Sequence, residues 1–363
     1  MNTFTALNIF YREDVISDFL KNCFEDSPVF LQQFLQSAQL SIPITHDVKI
    51  YNRKGLGKHI GTPDMVIVVK DSENHVVIVE NKLGAAEGDT QTERYYTDAA
   101  RKAVNDQFKL DENITHFHFI YLTLDTTVTP REKRYTQVFY KQFLHGEWPL
   151  KDATLNIIFR DFQLALQQFY APLENPQQTL STNLKLDQTQ TKICWQLILF
   201  EQFRNDPQFW VDWGNVGGIG RNNFLFLISK PNWWSNRYYT ETGLAKTYYI
   251  HIDTYIDLLT DQQQYVREIG VRYETHPYKP KKQIEHLEGY DVFRHNKHEF
   301  AQRLFEKVQQ FNINAKKTGY DLLVLTVPIN ASSWQQSVEV YSAIVKQLEV
   351  IIDEVVVELG LLG

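Results

Sequence analysis

Asp64, Glu80 and Lys82 place two carboxylates and one amine beside two apolar segments of the chain. Carboxylate oxygens are the ligands that hard cations such as Mg²⁺ prefer. A cation held by Asp64 and Glu80 would polarise a phosphoryl oxygen, lower the pKa of a bound water and neutralise charge on a leaving oxygen. Lys82 would orient or deprotonate that water, or stabilise the phosphate as a point charge. These residue types therefore indicate metal-dependent hydrolysis of a phosphodiester.

A β-hairpin is the element that would bring these groups together. Its strands are two β-branched runs, residues 65–69 and 76–79, on either side of a polar turn. If the turn is centred on Ser72, Asp64 and Glu80 lie at equal distances from it and face each other. Opposed side chains in an antiparallel pair have Cβ atoms roughly 4.5–5.5 Å apart, and Lys82 projects from the same face as Glu80. Ordinary solvated charges at the end of a hairpin are the alternative.

These residues also resemble a known family. Two pairs of motifs carry the resemblance: Thr62-Pro63-Asp64 with Val79-Glu80-Asn81-Lys82, and Glu80-Asn81-Lys82-Leu83 with Gln91-Thr92-Glu93-Arg94-Tyr95. The first pair is similar to the PD-(D/E)xK nuclease superfamily, which includes restriction endonucleases, Holliday-junction resolvases and many phage-defence enzymes. The second pair is similar to a bacterial branch with an E-N-K strand and a Q-x-x-R-Y helix, in which Leu usually stands where this chain has Thr92. The resemblance covers about residues 1–170 and implies Mg²⁺ or Mn²⁺ as cofactor and products with 5′-phosphates.

Glu13 is a third candidate metal ligand. It shares one stripe of the predicted first helix with Ile16, Leu20 and Cys23, so it is a carboxylate on a core-facing stripe. The resemblance implies that a glutamate at this position completes the metal shell, often through water. An N-terminal salt bridge is the alternative for Glu13.

Gln91 and Tyr95 are predicted to lie on a helix that follows Lys82. Thr90 and Glu93 form a capping-box pattern that opens this helix, which places Gln91 in the first turn and Tyr95 one turn later on the same face. Gln91 would reach the metal-bound water or the phosphate. Tyr95 would support the site by packing or contact the nucleic acid, and a purely structural role for both residues is the alternative.

The charge of the chain limits how it could bind nucleic acid. The net charge is −7, and neither half is basic: residues 1–178 carry 18 Lys and Arg against 23 Asp and Glu, and residues 179–363 carry 19 against 21. Affinity for nucleic acid would therefore be modest and salt-sensitive and would depend on local basic segments.

Arg53, Lys54 and Lys58 form the more persuasive of two such basic segments. They lie in a glycine-containing loop just before Asp64, which would bring backbone N–H groups and cationic side chains to a phosphate beside the scissile one. A solvated loop is the alternative. The second segment is the run Lys279-Pro280-Lys281-Lys282.

The predicted elements indicate an α/β protein with a restriction-endonuclease-like αβββαβ core around a mixed central sheet. In order, these elements are a helix over 8–40 broken near Pro28, a strand over 46–51, the hairpin, a helix over 89–107, strands over 116–124 and 153–159, and a helix over 161–170. A polar segment over 173–187 reads as a linker. We therefore expect a nuclease domain over 1–178 and an α+β domain over 179–363 that serves recognition, sensing or dimerisation.

The sequence thus predicts a Mg²⁺-dependent endonuclease that acts on DNA in restriction or phage defence. RNA as the substrate and assembly as a homodimer stay open. One alternative is a non-cleaving nucleic-acid-binding or sensor protein on the nuclease fold. The other is an RNase or single-strand nuclease, because the motif would contact the phosphate and not the sugar. Two cysteines on predicted amphipathic helices and the lack of an apolar run long enough to cross a bilayer favour a cytoplasmic protein without membrane partners.

Overall fold

The structure is a computed structural model that describes residues 2–44, 47–84, 87, 90–182, 184–203, 208–218, 221–235, 238–257, 266, 268–318 and 323–361. The chain divides into two compact units, Met1–Ile193 and Cys194–Gly363. The predicted domain boundary, after residue 178, lies before the point where the units divide. None of the helices within the described ranges is both long and apolar enough to cross a membrane.

The first unit contains a five-stranded sheet. Its helices are α1 (Thr3–Ala6), α2 (Glu13–Asp26), α3 (Pro28–Ser37), α4 (Gln91–Tyr95), α5 (Asp98–Phe108), α6 (Ala153–Tyr170), α7 (Pro176–Leu180) and the first part of α8 (Gln188–Glu201). Its strands are β1 (Val48–Asn52), β2 (Met65–Lys70), β3 (Asn74–Lys82), β4 (Thr115–Thr123) and β5 (Thr136–Phe139). The strand order is β1-β2-β3-β4-β5, in which β1, β2 and β3 pair antiparallel and β3, β4 and β5 pair parallel. This is the α/β architecture with a mixed central sheet that the sequence predicted.

The β2–β3 hairpin has the predicted register. Met65 pairs with Val79 and Lys70 with Asn74, so the turn is centred on Ser72 as expected. Every residue of β2 except the last is buried, and β3 is buried almost throughout. The strands that carry the candidate site are therefore covered on both faces, and the polar groups lie where the strands end.

Helices cover both faces of this sheet. On one face, alternate residues of β2 and β3 pack with Tyr95 of α4 and Val104 of α5 in a buried apolar cluster. On the other face, Asn81 of β3 contacts Ser17 of α2. Because alternate residues of a strand point to opposite faces, Glu80 and Lys82 belong to the α4–α5 face and Asn81 to the α2 face.

Two elements of the first unit differ from the sequence prediction. Residues 153–159 are not a strand but the first two turns of α6. Asp152 caps this helix by accepting a hydrogen bond from Leu155 N (2.7 Å), and its buried residues Phe159, Phe162 and Leu166 follow helical spacing. The short strand β5 was not predicted, and it supplies the fifth strand in place of 153–159.

The predicted helix over 89–107 is two helices, and its capping box does not form. Thr90 has φ +49° and its side chain makes no cap bond. The carboxylate of Glu87 takes that place, since its Oε1 accepts hydrogen bonds from both the backbone N (2.9 Å) and the hydroxyl (2.6 Å) of Thr92. Thr97 ends the first segment and caps α5 by accepting a bond from Ala100 N.

The second unit contains a six-stranded antiparallel sheet and is α+β. Besides the end of α8, its elements are β6 (Trp210–Gly218), β7 (Arg221–Ser229), α9 (Tyr239–Thr242), β8 (Tyr249–Asp257), β9 (Glu268–Glu274), α10 (Lys281–Ile284), α11 (Tyr290–Gln310), β10 (Lys316–Lys317), β11 (Leu323–Pro328) and α12 (Trp334–Glu358). The strand order is β10-β11-β9-β8-β7-β6. Helix α11 packs on the sheet through the ring of Tyr273, which lies 5.4 Å from that of Phe300 and 5.6 Å from that of Phe293.

Candidate active site

The site lies where β2 begins and β3 ends. Asp64 directly precedes Met65, and its Oδ2 accepts a hydrogen bond from the backbone N of Asn81 at 2.7 Å. This bond fixes the Asp64 carboxylate beside Glu80. Glu80 itself is fully buried at the end of the α4–α5 face. The hairpin register therefore brings the two predicted carboxylates together.

Lys82 links the carboxylates of the site. Its Nζ lies 2.7 Å from Glu80 Oε1 and 3.6 Å from Glu13 Oε2. Glu13 Oε1 accepts a hydrogen bond from the backbone N of Leu83 at 3.1 Å, so the first residue of α2 is tied to the end of β3. The structure thus places Glu13 beside Lys82 and the end of β3, the position that the family resemblance implied.

Burial and crowding govern the protonation of this group. Burial, together with the neighbouring charge of Asp64, raises the pKa of Glu80 to about 8. Burial also raises the pKa of Glu13, against the opposing effect of Lys82. Burial alone would lower the pKa of Lys82, but the charges of Glu80 and Glu13 outweigh it and raise that pKa above its usual value. The charged form of Lys82 is therefore favoured, and protonation of Glu80 is favoured as long as no cation neutralises the carboxylates.

The donor set fits a hard divalent cation. Glu80 Oε2 is buried and has no hydrogen-bond partner among the residues that the structure describes. A buried, unpaired carboxylate oxygen beside a second carboxylate is costly unless a cation neutralises it. Within the described ranges no three His, Cys, Asp or Glu side chains converge on a common point, because the amine of Lys82 lies between Glu80 and Glu13. Asp64 and Glu80 would hold the cation, with Glu13 next to them.

The family comparison matches the first half of the chain. The model of the PD-(D/E)XK nuclease superfamily covers residues 1–181. The chain belongs to this superfamily. Neither a curated protein nor a solved structure matches it at a significant level. Membership indicates a nuclease, a class that generally uses divalent metal ions.

Asn81 is a positioning residue of the candidate site that sequence reasoning did not single out. Its Nδ2 donates to Ser17 Oγ at 3.0 Å and to the Glu13 carbonyl at 3.3 Å, and its Oδ1 accepts from the buried phenol of Tyr140 at 2.7 Å. With the bond from its backbone N to Asp64, Asn81 therefore holds both α2 and the Asp64 carboxylate. In the sequence, only its position between Glu80 and Lys82 could have pointed to this role. Nothing in the sequence indicates that Tyr140 or Ser17 contacts it.

Gln91 and Tyr95 lie beside Glu80 as their helical spacing predicted. Gln91 Nε2 donates to Glu80 Oε1 at 2.5 Å. Tyr95 is only 2% exposed, and its burial, with the nearby charge of Glu80, raises its pKa to about 12. Tyr95 therefore supports the nuclease site by packing beneath it, and direct contact with nucleic acid, the other predicted role, does not fit this burial.

The basic loop before Asp64 reaches the site only in part. Arg53 lines an open cleft together with Glu13 and Asp64. Its guanidinium lies 2.7 Å from the Asp18 carboxylate and also donates to a backbone carbonyl of α2. Lys54 and Lys58 are exposed on the same loop. In the second unit, Lys281 and Lys282 are exposed as well.

Proposed function

We propose that the chain is a metal-dependent endonuclease that hydrolyses phosphodiester bonds, with DNA as its main substrate. One observation carries the proposal: the buried, unpaired Oε2 of Glu80 lies beside the charge of Asp64, while the other oxygen of Glu80 contacts Lys82. In a structural ion pair, both oxygens of a buried carboxylate are usually hydrogen-bonded. A cation site beside a phosphate accounts for all three groups.

The roles of the residues follow from their contacts. Asp64 and Glu80 hold Mg²⁺ or Mn²⁺, which supplies a polarised phosphoryl oxygen and an acidified water. Glu13 stays beside them and accepts from Leu83 N, so it completes the acidic shell. Lys82 is held as a cation by its carboxylate partners, which favours its role as a point charge on the phosphate over that of a base. Gln91 fixes the orientation of the Glu80 carboxylate through a direct hydrogen bond.

Incubation with duplex DNA, single-stranded DNA and RNA tests this function, with Mg²⁺ or Mn²⁺ and with EDTA. We expect cleavage of DNA in the presence of metal, 5′-phosphate ends, and no cleavage in EDTA. Lys82→Ala should abolish turnover and keep the fold, as circular dichroism would check. Equal cleavage by wild type and Lys82→Ala would overturn the assignment.

Metal binding gives an independent readout of the site. Calorimetric titration with Mn²⁺ should detect binding to the wild type and none to Asp64→Asn. Exposed Asp106→Asn is the matched control, since it removes the same charge from α5 and should leave Mn²⁺ binding intact. Unchanged binding in Asp64→Asn would mean that Asp64 is not a ligand.

We propose a restriction or phage-defence role in the cytoplasm, with the second unit serving recognition, sensing or dimerisation. Cys23 and Cys194 are both buried, which suits a reducing compartment. Stacked rings of Trp210 and Trp234, 5.6 Å apart, offer the second unit an aromatic surface, and Trp210 is 39% exposed. Cleavage of modified and unmodified plasmid DNA side by side would test the restriction role.

A further inference from the structure

A group of cations that are far apart in sequence lies on one flank of the first unit, beside the candidate active site. We name this group the cationic flank; it comprises Arg94, Arg101, Arg131, Lys133 and Arg134. Three of its members belong to the loop between β4 and β5. Strands β3 and β4 are parallel, and Lys82 pairs with Thr123, so this loop leaves the sheet at the same edge as the catalytic residues.

Hydrogen bonds to α4 hold this loop close to the site. Arg131 N donates to Glu87 Oε2 at 2.9 Å, and Glu132 N donates to Thr92 Oγ1 at 3.1 Å. Glu87 is also the residue that caps the start of α4, where Gln91 contacts Glu80. The same carboxylate therefore fixes both the basic loop and the helix that orients Glu80.

Two guanidinium groups of the cationic flank are held in defined positions, and that of Arg134 stays accessible. The Arg134 guanidinium lies 3.4 Å from the centre of the Tyr96 ring, and that of Arg101 lies 4.8 Å from it. Glu132 fixes the Arg134 guanidinium through two hydrogen bonds of 2.6 Å. Even so, 59% of the Arg134 side chain is exposed. Stacking and pairing thus reduce the entropy that these side chains would lose when they bind an anion.

The cationic flank continues toward the basic loop that contains Lys54 and Lys58. Gly61 ends that loop with φ +105°, and a Cβ placed on it would lie 3.4 Å from Tyr95 Oη and 3.9 Å from an Arg94 nitrogen. The loop backbone therefore passes directly over α4. The end of the basic loop therefore adjoins Arg94 of the cationic flank, although the two lie far apart in sequence.

The chemistry of this surface fits a polyanion. The net charge of the whole chain is −7, yet the cationic flank sets five positive side chains against the carboxylates of Glu93, Asp98 and Glu132. A fourth carboxylate, Glu87, already accepts hydrogen bonds from backbone N–H groups. The chain advances about 7.5 Å along the helix axis between Gln91 and Tyr96. This length is roughly that of two base-pair steps of a duplex, at 3.4 Å each. We propose that the cationic flank binds the phosphate backbone of the nucleic acid on one side of the scissile phosphate. The proposal rests on the proposed nuclease function and adds a substrate surface to it.

Matched charge removal tests this surface. The flank variant replaces Arg131, Lys133 and Arg134 with Gln. The control variant replaces Lys109, Lys151 and Arg160, which are exposed elsewhere on the first unit, with Gln. Both variants change the net charge by the same amount. Binding of labelled duplex DNA, single-stranded DNA and RNA is measured by fluorescence anisotropy over a range of salt, in the Lys82→Ala background so that nothing is cleaved.

We expect the flank variant to bind the preferred nucleic acid more weakly and the control variant to bind as the parent does. Each lost duplex phosphate contact should reduce the slope of log K against log salt by about 0.9, so three contacts reduce it by about 2.7. Equal weakening by both variants, no weakening by the flank variant, or no binding by the parent would overturn the proposal. If the triple variant does not fold, Lys133→Glu against Lys109→Glu gives the same comparison with one charge reversal on an exposed side chain.

A small substrate separates the surface from the active site. The p-nitrophenyl ester of thymidine 5′-phosphate has no flanking phosphates for the flank to bind. With Mn²⁺ and Lys82 intact, we expect the flank variant to hydrolyse it as fast as wild type while cleavage of long DNA slows. If wild type hydrolyses neither substrate, yet the flank variant still binds DNA more weakly than the control variant, the proposed nuclease function is wrong and the proposed binding surface is supported. If wild type and the flank variant cleave DNA equally fast, the proposed binding surface is wrong and the proposed nuclease function is supported.

Discussion

Tyr140 Oη donates a 2.7 Å hydrogen bond to Oδ1 of Asn81, so the residue between Glu80 and Lys82 is held by a buried phenol. The amide of the same side chain donates to Ser17 and to the Glu13 carbonyl. A single buried network therefore sets the distance between α2, which carries Glu13, and β3, which carries Glu80.

Tyr140→Phe should affect both stability and activity. It leaves Asn81 Oδ1 buried without its donor, which costs about 1–3 kcal/mol. A small shift of Asn81 would also displace Asp64, and we expect turnover to fall by up to about 100-fold. Urea unfolding and DNA cleavage rates measure the two effects.

Tyr170→Phe is the matched control for Tyr140→Phe. Tyr170 is also a buried phenol, and it donates to the Leu124 carbonyl at 2.8 Å, a bond that includes neither Asn81 nor a carboxylate of the site. Its loss should lower stability to a similar extent and leave turnover unchanged. A similar loss of turnover in both variants would mean that Asn81 has no special positioning role.

Glu80→Gln should stabilise the metal-free protein at alkaline pH. The pKa of Glu80 is about 8 in the folded protein against 4.5 as its usual value, so the folded state binds more protons between these values. The stability that this proton provides is present below pH 4.5 and is lost as the pH rises through about 8. Because the shift is large, the loss is on the order of a few kcal/mol. Glu80→Gln removes the titrating group and should keep that stability above pH 8.

Urea unfolding in EDTA, followed by far-UV circular dichroism from pH 5 to pH 9, checks this expectation. The exposed Glu147→Gln is the control and should retain the pH dependence of wild type. With Mn²⁺ present the order should reverse, because only the wild type gains stability from metal binding. A wild type whose metal-free stability does not fall toward pH 9 would show that Glu80 is ionised at neutral pH without metal.

The local part of the site could be predicted from the sequence. The alternation and turn residues of the hairpin fix which residues oppose each other, so the positions of Asp64, Glu80 and Lys82 followed from spacing alone. The stripe on the first helix predicted only that Glu13 faces the core, and its place beside the other carboxylates was implied by the family resemblance. Gln91 followed from the spacing of a short helix, even though the predicted cap was wrong.

Contacts between distant segments could not be predicted. Nothing in the spacing relates Tyr140 to Asn81, because that bond exists only once the parallel strands have assembled. The sequence predicts a strand over 153–159, but these residues begin α6, which packs through Phe159 and Phe162 at helical spacing. The cap of α4 comes from Glu87, a residue that no local capping pattern includes.

The second unit should have its own pH dependence, centred on His251. Burial would lower the pKa of His251, but Asp253 at 2.6 Å and Glu274 at 3.2 Å outweigh it and raise the pKa to about 9. The charged imidazole stabilises the folded state. This contribution is fully present below about pH 6.5, the pKa of histidine in the unfolded chain, and is lost as the pH rises through about 9. The loss is on the order of 3 kcal/mol.

Tryptophan fluorescence reports selectively on this unit, because six of the seven tryptophans lie in residues 194–363. Urea unfolding of the wild type should show the midpoint falling between pH 7 and pH 9.5. His251→Gln should be less stable at pH 7 and nearly independent of pH over this range. The exposed His298→Gln is the control and should behave as wild type. A wild-type midpoint that stays constant to pH 9.5 would contradict a charged His251.

A nuclease fragment should need residues beyond 178, the boundary suggested by composition. Within the first unit, Tyr11 donates to Asp187 at 2.6 Å, Gln190 donates to the backbone carbonyls at the end of α6, and Lys192 Nζ donates to the Gly84 carbonyl at 3.3 Å. Gly84 follows Lys82 by two residues, so the last of these contacts supports the edge of the site. Four hydrogen bonds are lost in all. The bond to Asp187 is exposed, and loss of the other three, which are buried or partly buried, should cost about 2–4 kcal/mol.

We therefore expect the fragment 1–193 to unfold at a higher urea concentration than 1–178 and to bind Mn²⁺ more tightly. At physiological salt, the fragment 1–193 should still cleave long DNA more slowly than the full chain. Residues 194–363 would supply part of the DNA-binding surface, and the acidic first unit binds DNA weakly by itself. Lowering the salt should narrow that difference, since the cationic flank is intact in both. If 1–193 cleaves as fast and as selectively as the full chain at physiological salt, the second unit has no targeting role. If 1–178 is as stable as 1–193, the contacts of Asp187, Gln190 and Lys192 do not stabilise the nuclease unit.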